Sequence, residues 1–211
     1  SAFYFSTSGG HTESIENSWQ TAPVAYLKGV DDPYDTYSPM HQWTPKQYAA
    51  GTLAGKLGGS VSGPLRAIYV VDRGVSPRGG KAASVGSKGV QFLHGSILRS
   101  KLGLMDSWAY FRSMSISPAA TDKTTITAGQ AIEIKGRLYQ AAPAGAKVTL
   151  HYYVSGAWRT RNVATVRVSE SLGNGYTAKY SAYSIMLKPV ATTKYYFTYG
   201  KAGSPKTTVT V

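Results

Sequence analysis

Tyr4-Phe5-Ser6-Thr7-Ser8-Gly9-Gly10-His11-Thr12-Glu13, continued by Pro23-Val24-Ala25-Tyr26-Leu27-Lys28-Gly29-Val30-Asp31-Asp32-Pro33, is the stretch around which the first half of this chain is read. Phe3 and Phe5 alternating with Tyr4 predict a short aromatic strand, which breaks into small hydroxyl residues and two glycines. Glycines let the backbone approach a ligand closely, and exposed loops are where binding groups concentrate. A bend that only reversed the chain would not need four hydroxyls and a carboxylate around its glycines. The stretch reads as the lip of a groove for a polar, hydroxyl-rich substrate, with Ser6, Thr7, Ser8, Gly9, Gly10, His11 and Thr12 as its binding residues. Glu13 is the best local group for acid and base work; among so many hydroxyls it suits orienting substrate or holding the loop better than chemistry.

Ser6-Thr7-Ser8-Gly9-Gly10-x-Thr12-Glu13, with Tyr26-Leu27-x-x-Val30 following, resembles the family of stage II sporulation protein D and the amidase-enhancer proteins. Three further segments fit in order: Trp43 at a helix opening, Ser76-Pro77-Arg78 in place of a Ser-Gly-Arg turn, and Gly95-Ser96-x-x-x-Arg99-x-x-Leu102-Gly103-Leu104-x-x-Ser107. The likeness spans roughly residues 1–112. It implies action on peptidoglycan, as a lytic transglycosylase or as an amidase enhancer, with Thr12 and Tyr26 lining the groove. One departure matters: the family's catalytic glutamate sits near a run like Pro-x-Glu-Ala-x-x-Ala-Gln-Ala, and this chain has no such run. By the family pattern Ser1 falls in mid-domain. The resemblance thus implies the later half of a domain, completed by an upstream fragment or a partner chain that brings the general acid.

Composition sets outer limits. With 211 residues, 42% of them hydrophobic, one or two globular domains are expected. The absence of cysteine rules out a disulfide framework or thiolate metal site. No apolar run approaches the ~20 residues of a membrane span, and a start at Ser1 without a leader fits a processed, exported product. Residues 1–112 hold 11 Lys and Arg against 7 Asp and Glu, and residues 113–211 hold 12 against 3. The positive field therefore lies mainly in the second half. It favours anionic polymers: peptidoglycan, other anionic wall polymers, lipid headgroups or nucleic acid, or it serves solubility alone. Nucleic acid ranks last, for want of a reading helix or aromatic ribonucleoprotein motif.

Asp31, Asp32 and Asp35 lack the spacing of a calcium loop and read as turn caps. His11, His41, His94 and His151 show no zinc spacing. No nucleophile elbow or phosphate loop occurs, and no metal or cofactor is called for. Thr44-Pro45-Lys46-Gln47 predicts a helix start, with Tyr48, Leu53 and Leu57 on one face and Gly58-Gly59 as the stop. Leu65 to Val71 reads as a strand, Arg73 to Gly89 as a Gly, Ser and Lys-rich hairpin region, Gly95 to Leu102 as a helix, and Trp108, Tyr110 and Phe111 as a closing strand. Past Ser113 the helical period vanishes, and alternating runs such as Ile132/Ile134/Leu138, Val148/Leu150/Tyr152, Ala164/Val166/Val168 and Tyr195/Phe197/Tyr199 recur between turns such as Gly156-Ala157-Trp158.

The expected architecture is an α+β unit over 1–112, a mixed sheet with two short helices, followed by a basic, all-β immunoglobulin-like sandwich over 113–211. The functional expectation is a secreted cell-wall or surface protein that binds glycan strands and works with an upstream fragment, a partner chain or an amidase. The alternative is a non-catalytic surface or assembly protein that docks another chain.

Overall fold

The computed structural model describes residues 8–19, 21–42, 44, 46–111, 115–117 and 119–211. The chain divides into two units, Ser1–Phe111 and Arg112–Val211. The aromatic strand expected over 3–5 and the helix opening at Trp43 lie outside the described residues.

In the first unit, α1 (Ile15–Trp19) follows the glycine bend, α2 is Ala50–Leu57, and three strands form an antiparallel sheet in the order β1 (Leu65–Arg73), β2 (Gly79–Gly86), β3 (Gly89–His94). Helix α3 (Gly95–Leu102) leaves β3 directly. Leu57, Ile68, Ala82, Leu93, Leu98 and Leu102 form one buried cluster, so α2 and α3 cover one face of the sheet. The α3 bounds match the sequence reading, and Gly103 ends it in the left-handed conformation at φ 60°, where a residue with a Cβ is strained. The sheet of this unit, expected to be mixed, is antiparallel in all its described pairings.

Three further expectations are corrected. The helix signalled at Thr44-Pro45 begins only at Ala50. Upstream of it, the Lys46 ammonium and the Tyr48 hydroxyl donate to the carbonyls of Gly103 and Leu102, at the open end of α3, which holds that segment off a helical path. Much of the 73–89 stretch is strand β2, the middle of the sheet. Its small residues fit because Gly86 and Gly79 pass close to other backbone: a Cβ on Gly86 would lie 2.0 Å from the Ser62 carbonyl oxygen. Residues 108–111 form no strand; the Trp108 N–H goes instead to Asp106 Oδ1 at 3.0 Å.

The second unit is all β. One sheet runs β4 (Ser115–Ile116), β6 (Ile132–Tyr139), β10 (Tyr176–Leu187), β9 (Val166–Gly173), with β5 (Ala120–Thr121) also on β6. The other runs β12 (Ala202–Gly203), β11 (Thr193–Tyr199), β7 (Lys147–Val154), β8 (Ala157–Ala164), with β13 (Thr207–Val209) also on β11. Alternation puts Ile132, Ile134 and Leu138 from the first sheet and Val148, Leu150, Phe197 and Val209 from the second into one buried core. Two details differ from the sequence reading. The run Ala164/Val166/Val168 straddles the break between β8 and β9, with Val166 exposed. The turn before β8 is Ser155-Gly156, so Ala157 and Trp158 already belong to the strand.

Candidate functional site

The glycine bend folds back on the segment that follows it. His11 bridges Asp31, the Thr12 and Ile15 N–H groups donate to the Val30 and Leu27 carbonyls, and the Asp32 N–H donates to Gly10. The hydroxyls of Ser8 and Thr12 are both engaged within the folded-back arm. Ser8 is buried, with its hydroxyl 2.7 Å from Asp32 Oδ2, while Thr12 Oγ1 accepts from the Val30 N–H at 2.9 Å. Asp35, also buried, accepts the Ser8 and Gly9 N–H groups at 2.6 and 2.8 Å on Oδ1, and its Oδ2 lies 2.6 Å from His41 Nδ1. Two of the acids read as turn caps thus hold the bend itself. Gly9 is required twice over: its φ is +69°, and a Cβ there would lie 2.1 Å from the Trp108 ring.

Glu13 and Arg78 bind this arm to the sheet. The Glu13 carboxylate accepts from the Ser14 N–H (2.9 Å), Asn17 Nδ2 (2.9 Å), the Val75 and Ser76 N–H groups (3.0 and 3.3 Å) and the Ser76 hydroxyl (2.5 Å). Burial pushes its pKa up, but donation from Asn17, Ser76, Ser14 and Val75 outweighs this and holds it below the ordinary glutamate value. Gly74 makes room for it; a Cβ there would sit 2.0 Å from Glu13 Oε2. Arg78 completes the Ser76-Pro77-Arg78 turn. Its Nε donates to both oxygens of Asp106 (3.1 and 3.0 Å), Nη1 to the His11 carbonyl (2.9 Å) and Nη2 to the Ser8 carbonyl (2.9 Å). One guanidinium thus ties three chain segments, which a planar fork of five donors can do and an ammonium cannot.

Beside this network lies an open cleft of about 420 Å3, lined among others by Glu13, Asn17, Ser18, Trp19, Arg78, His94, Ser96, Arg99, Met105 and Asp106. Trp19 is 76% exposed there. Arg99 spends its Nε on the Met105 carbonyl at 3.0 Å. His94 caps α3 by accepting from the Ser96 N–H, and the Ser96 hydroxyl lies 2.8 Å from the same Nδ1; the pair is a local helix cap. Gly95 follows because a Cβ there would lie 1.7 Å from the Gly79 carbonyl oxygen, which seats α3 against the start of β2. Among the described residues no group of three His, Asp or Glu side chains is placed to hold a metal.

Of the site residues read from sequence, Glu13 lines the cleft. Ser8, Gly9, Gly10, His11, Thr12 and Tyr26 do not; the first five are joined in the folded-back arm, and Tyr26 stands 72% exposed. Ser6 and Thr7 lie outside the described residues. As site residues, Asp106, Asn17 and Trp19 gave no signal in the sequence, and Arg99 stood out only within the Gly95-to-Ser107 motif. The one usable signal was the Ser76-Pro77-Arg78 motif, since its arginine organises the cleft wall.

The fold and cleft define a small α+β unit with a polar, solvent-open groove, joined to a two-sheet β unit. No protein-family model matches the chain. Over 103 residues the chain is 37% identical to Stage II sporulation protein D of Bacillus subtilis (strain 168) and 34% identical to Stage II sporulation protein D of Bacillus amyloliquefaciens. Each match covers 49% of this chain and 28% of the relative. The chain thus carries a stage II sporulation protein D-like region and spans little more than a quarter of the curated relatives it matches.

Proposed function

We propose that this protein works in the cell wall, where the first unit binds peptidoglycan glycan strands in the cleft beside the Ser76-Pro77-Arg78 turn and the second is an immunoglobulin-like module that retains it there. The observation that carries this reading is the 103-residue likeness to Stage II sporulation protein D. The cleft chemistry supports it. An exposed indole such as Trp19 offers a face for the C–H side of a pyranose, and Arg99 and Ser18 offer donors to sugar hydroxyls and stem carboxylates. The folded-back arm over residues 8–13 acts as the wall that positions this surface.

Within this reading the chain orients glycan, and the general acid of a lytic transglycosylase, or the amidase it enhances, comes from a joining segment or partner. A general acid must hold a proton near working pH. Glu13 is held ionised by five donors, and Asp106 is paired with Arg78. The test is sedimentation of the protein with purified glycan strands, with mass spectrometry of the soluble products. Co-sedimentation without anhydro-muropeptides is expected. Anhydro-muropeptides released by this chain alone would overturn the division of labour, and no co-sedimentation would overturn the reading itself.

A second reading, an assembly protein docking another chain, is favoured by β8. It is the edge of its sheet, with six consecutive exposed residues from Ala157 to Asn162, and edges pair readily with other strands. Sedimentation velocity separates the two, since only assembly requires stable higher oligomers.

A further inference from the structure

The outer face of the β12-β11-β7-β8 sheet carries an aromatic cluster. His151 and Tyr196 stack with centroids 4.4 Å apart and planes 6° apart. Trp158 meets Tyr153 at 5.3 Å and 61°, and Tyr196 at 5.1 Å and 76°. Lys206 Nζ stands 5.3 Å from the Trp158 ring centre and 5.9 Å from that of Tyr196. These residues are brought together by register, with Tyr153 opposite Trp158 and Tyr196 opposite His151. A core-facing origin for the cluster is ruled out by exposure, since Tyr153 and Trp158 are 39% and 41% exposed.

Charge is one-sided on this sheet. Residues 112–211 contain three side-chain carboxylates, Asp122, Glu133 and Glu170. Glu133 lies in β6, Glu170 in β9 and Asp122 beside β5, where it accepts the Glu133 N–H. The strands of the aromatic sheet carry none of them; by alternation Lys147 and Lys194 share the aromatic face, with Lys206 over Trp158, while Arg159 and Arg161, opposite Tyr152 and Leu150, lie on the other face. An exposed aromatic face with cations and no carboxylate fits an anionic ligand with ring-shaped apolar faces.

We propose that this face is a second binding site, specific for a carboxylated polysaccharide, in which a sugar ring seats in the corner between Tyr153, Trp158 and Tyr196 and Lys206 pairs with its carboxylate. The interplanar angles favour this ligand over single-stranded nucleic acid. Successive bases stack on faces presented in parallel, whereas 61° and 76° make a corner. The corner suits one pyranose with C–H groups against one wall and hydroxyls turned to the others. Hydroxyl partners stand on the same face, where Thr149 Oγ1 lies 3.3 Å from Asn162 Oδ1 and Thr198 Oγ1 lies 2.9 Å from His151 Nε2. The proposal does not depend on the cleft of the first unit, whose residues stay unchanged in its test.

The experiment is affinity electrophoresis of the full chain through gels containing polygalacturonate, neutral dextran or oligo(dT). Retardation by polygalacturonate and none by dextran is expected. Trp158→Ala should weaken the polygalacturonate affinity about tenfold, Trp158→Phe should retain most of it, and Lys206→Ala should weaken it severalfold and flatten its salt dependence. Equal retardation of wild type and Trp158→Ala would reduce the effect to bulk charge and overturn the site. Retardation by oligo(dT) matching or exceeding that by polygalacturonate, with the same Trp158 dependence, would overturn the ligand class.

Discussion

Replacing Arg78 by lysine is the sharpest perturbation of the first unit. The guanidinium is largely buried, its side chain 15% exposed, and it serves Asp106, the His11 carbonyl and the Ser8 carbonyl at once. Lysine keeps the charge and one direction of donation, so it can meet the Asp106 carboxylate or the two carbonyls of the arm, and not all three. Two hydrogen bonds from a charged donor are lost. At about 1.5–3 kcal/mol each, partly recovered by water, the expected destabilisation is roughly 2–4 kcal/mol. Three of the four tryptophans, Trp19, Trp43 and Trp108, lie in the first unit, so a Trp158→Phe background makes fluorescence report that unit alone. With a urea m-value of about 1–2 kcal/mol/M for a domain of this size, the midpoint should fall by at least about 1 M at unchanged m. A shift below about 0.3 M would refute the claim that Arg78 holds the arm to the sheet.

Glu13→Gln should destabilise the same unit at neutral pH, because five donors aimed at a carboxylate lose its charge. Since the folded-state pKa lies below the ordinary value of 4.5, the stability contributed by ionisation is complete above that value and fades as pH falls through the folded pKa. The gap between wild type and variant should therefore close in acid; a gap independent of pH would contradict the assignment. Gly9→Ala should cost about 2–4 kcal/mol, from the left-handed backbone and the Trp108 ring in the path of the new methyl, read as a fall in the first-unit melting temperature. In the second unit, Gly136→Ala should cost about 1–3 kcal/mol, read as a fall in the second-unit melting temperature, because a Cβ there would lie 2.3 Å from the buried Tyr183 hydroxyl.

What could be read from the chain itself follows from how local each signal is. Helix α3 was legible to the residue, since its apolar positions and terminal Gly103 all lie within the nine residues from Gly95 to Gly103. The alternating strands β6, β7 and β11 were legible because one face of each is buried. Helix α2 was placed too early: Thr44-Pro45 is a good local start, and the ties of Lys46 and Tyr48 to the end of α3 are invisible without the fold. Strand β2 was hidden within what read as a Gly, Ser and Lys-rich hairpin region, because its glycines and alanines have low strand propensity. They are small because backbone and neighbouring strands crowd them. The site divides in the same way. Ser8, Gly9 and Glu13 stood out by composition, yet their roles are set by Asp35, Ser76, Arg78 and Trp108, 26 to 99 positions away in the chain.

The most direct test of the account is binding of purified peptidoglycan glycan strands by wild type against Trp19→Ala and Arg99→Ala, two exposed cleft variants whose folds should be intact. The account predicts saturable binding by wild type, at least tenfold weaker in each variant, with the Trp158→Ala protein unaffected in this assay when salt suppresses its charge-driven contacts. Binding that is unchanged by both cleft substitutions would contradict it.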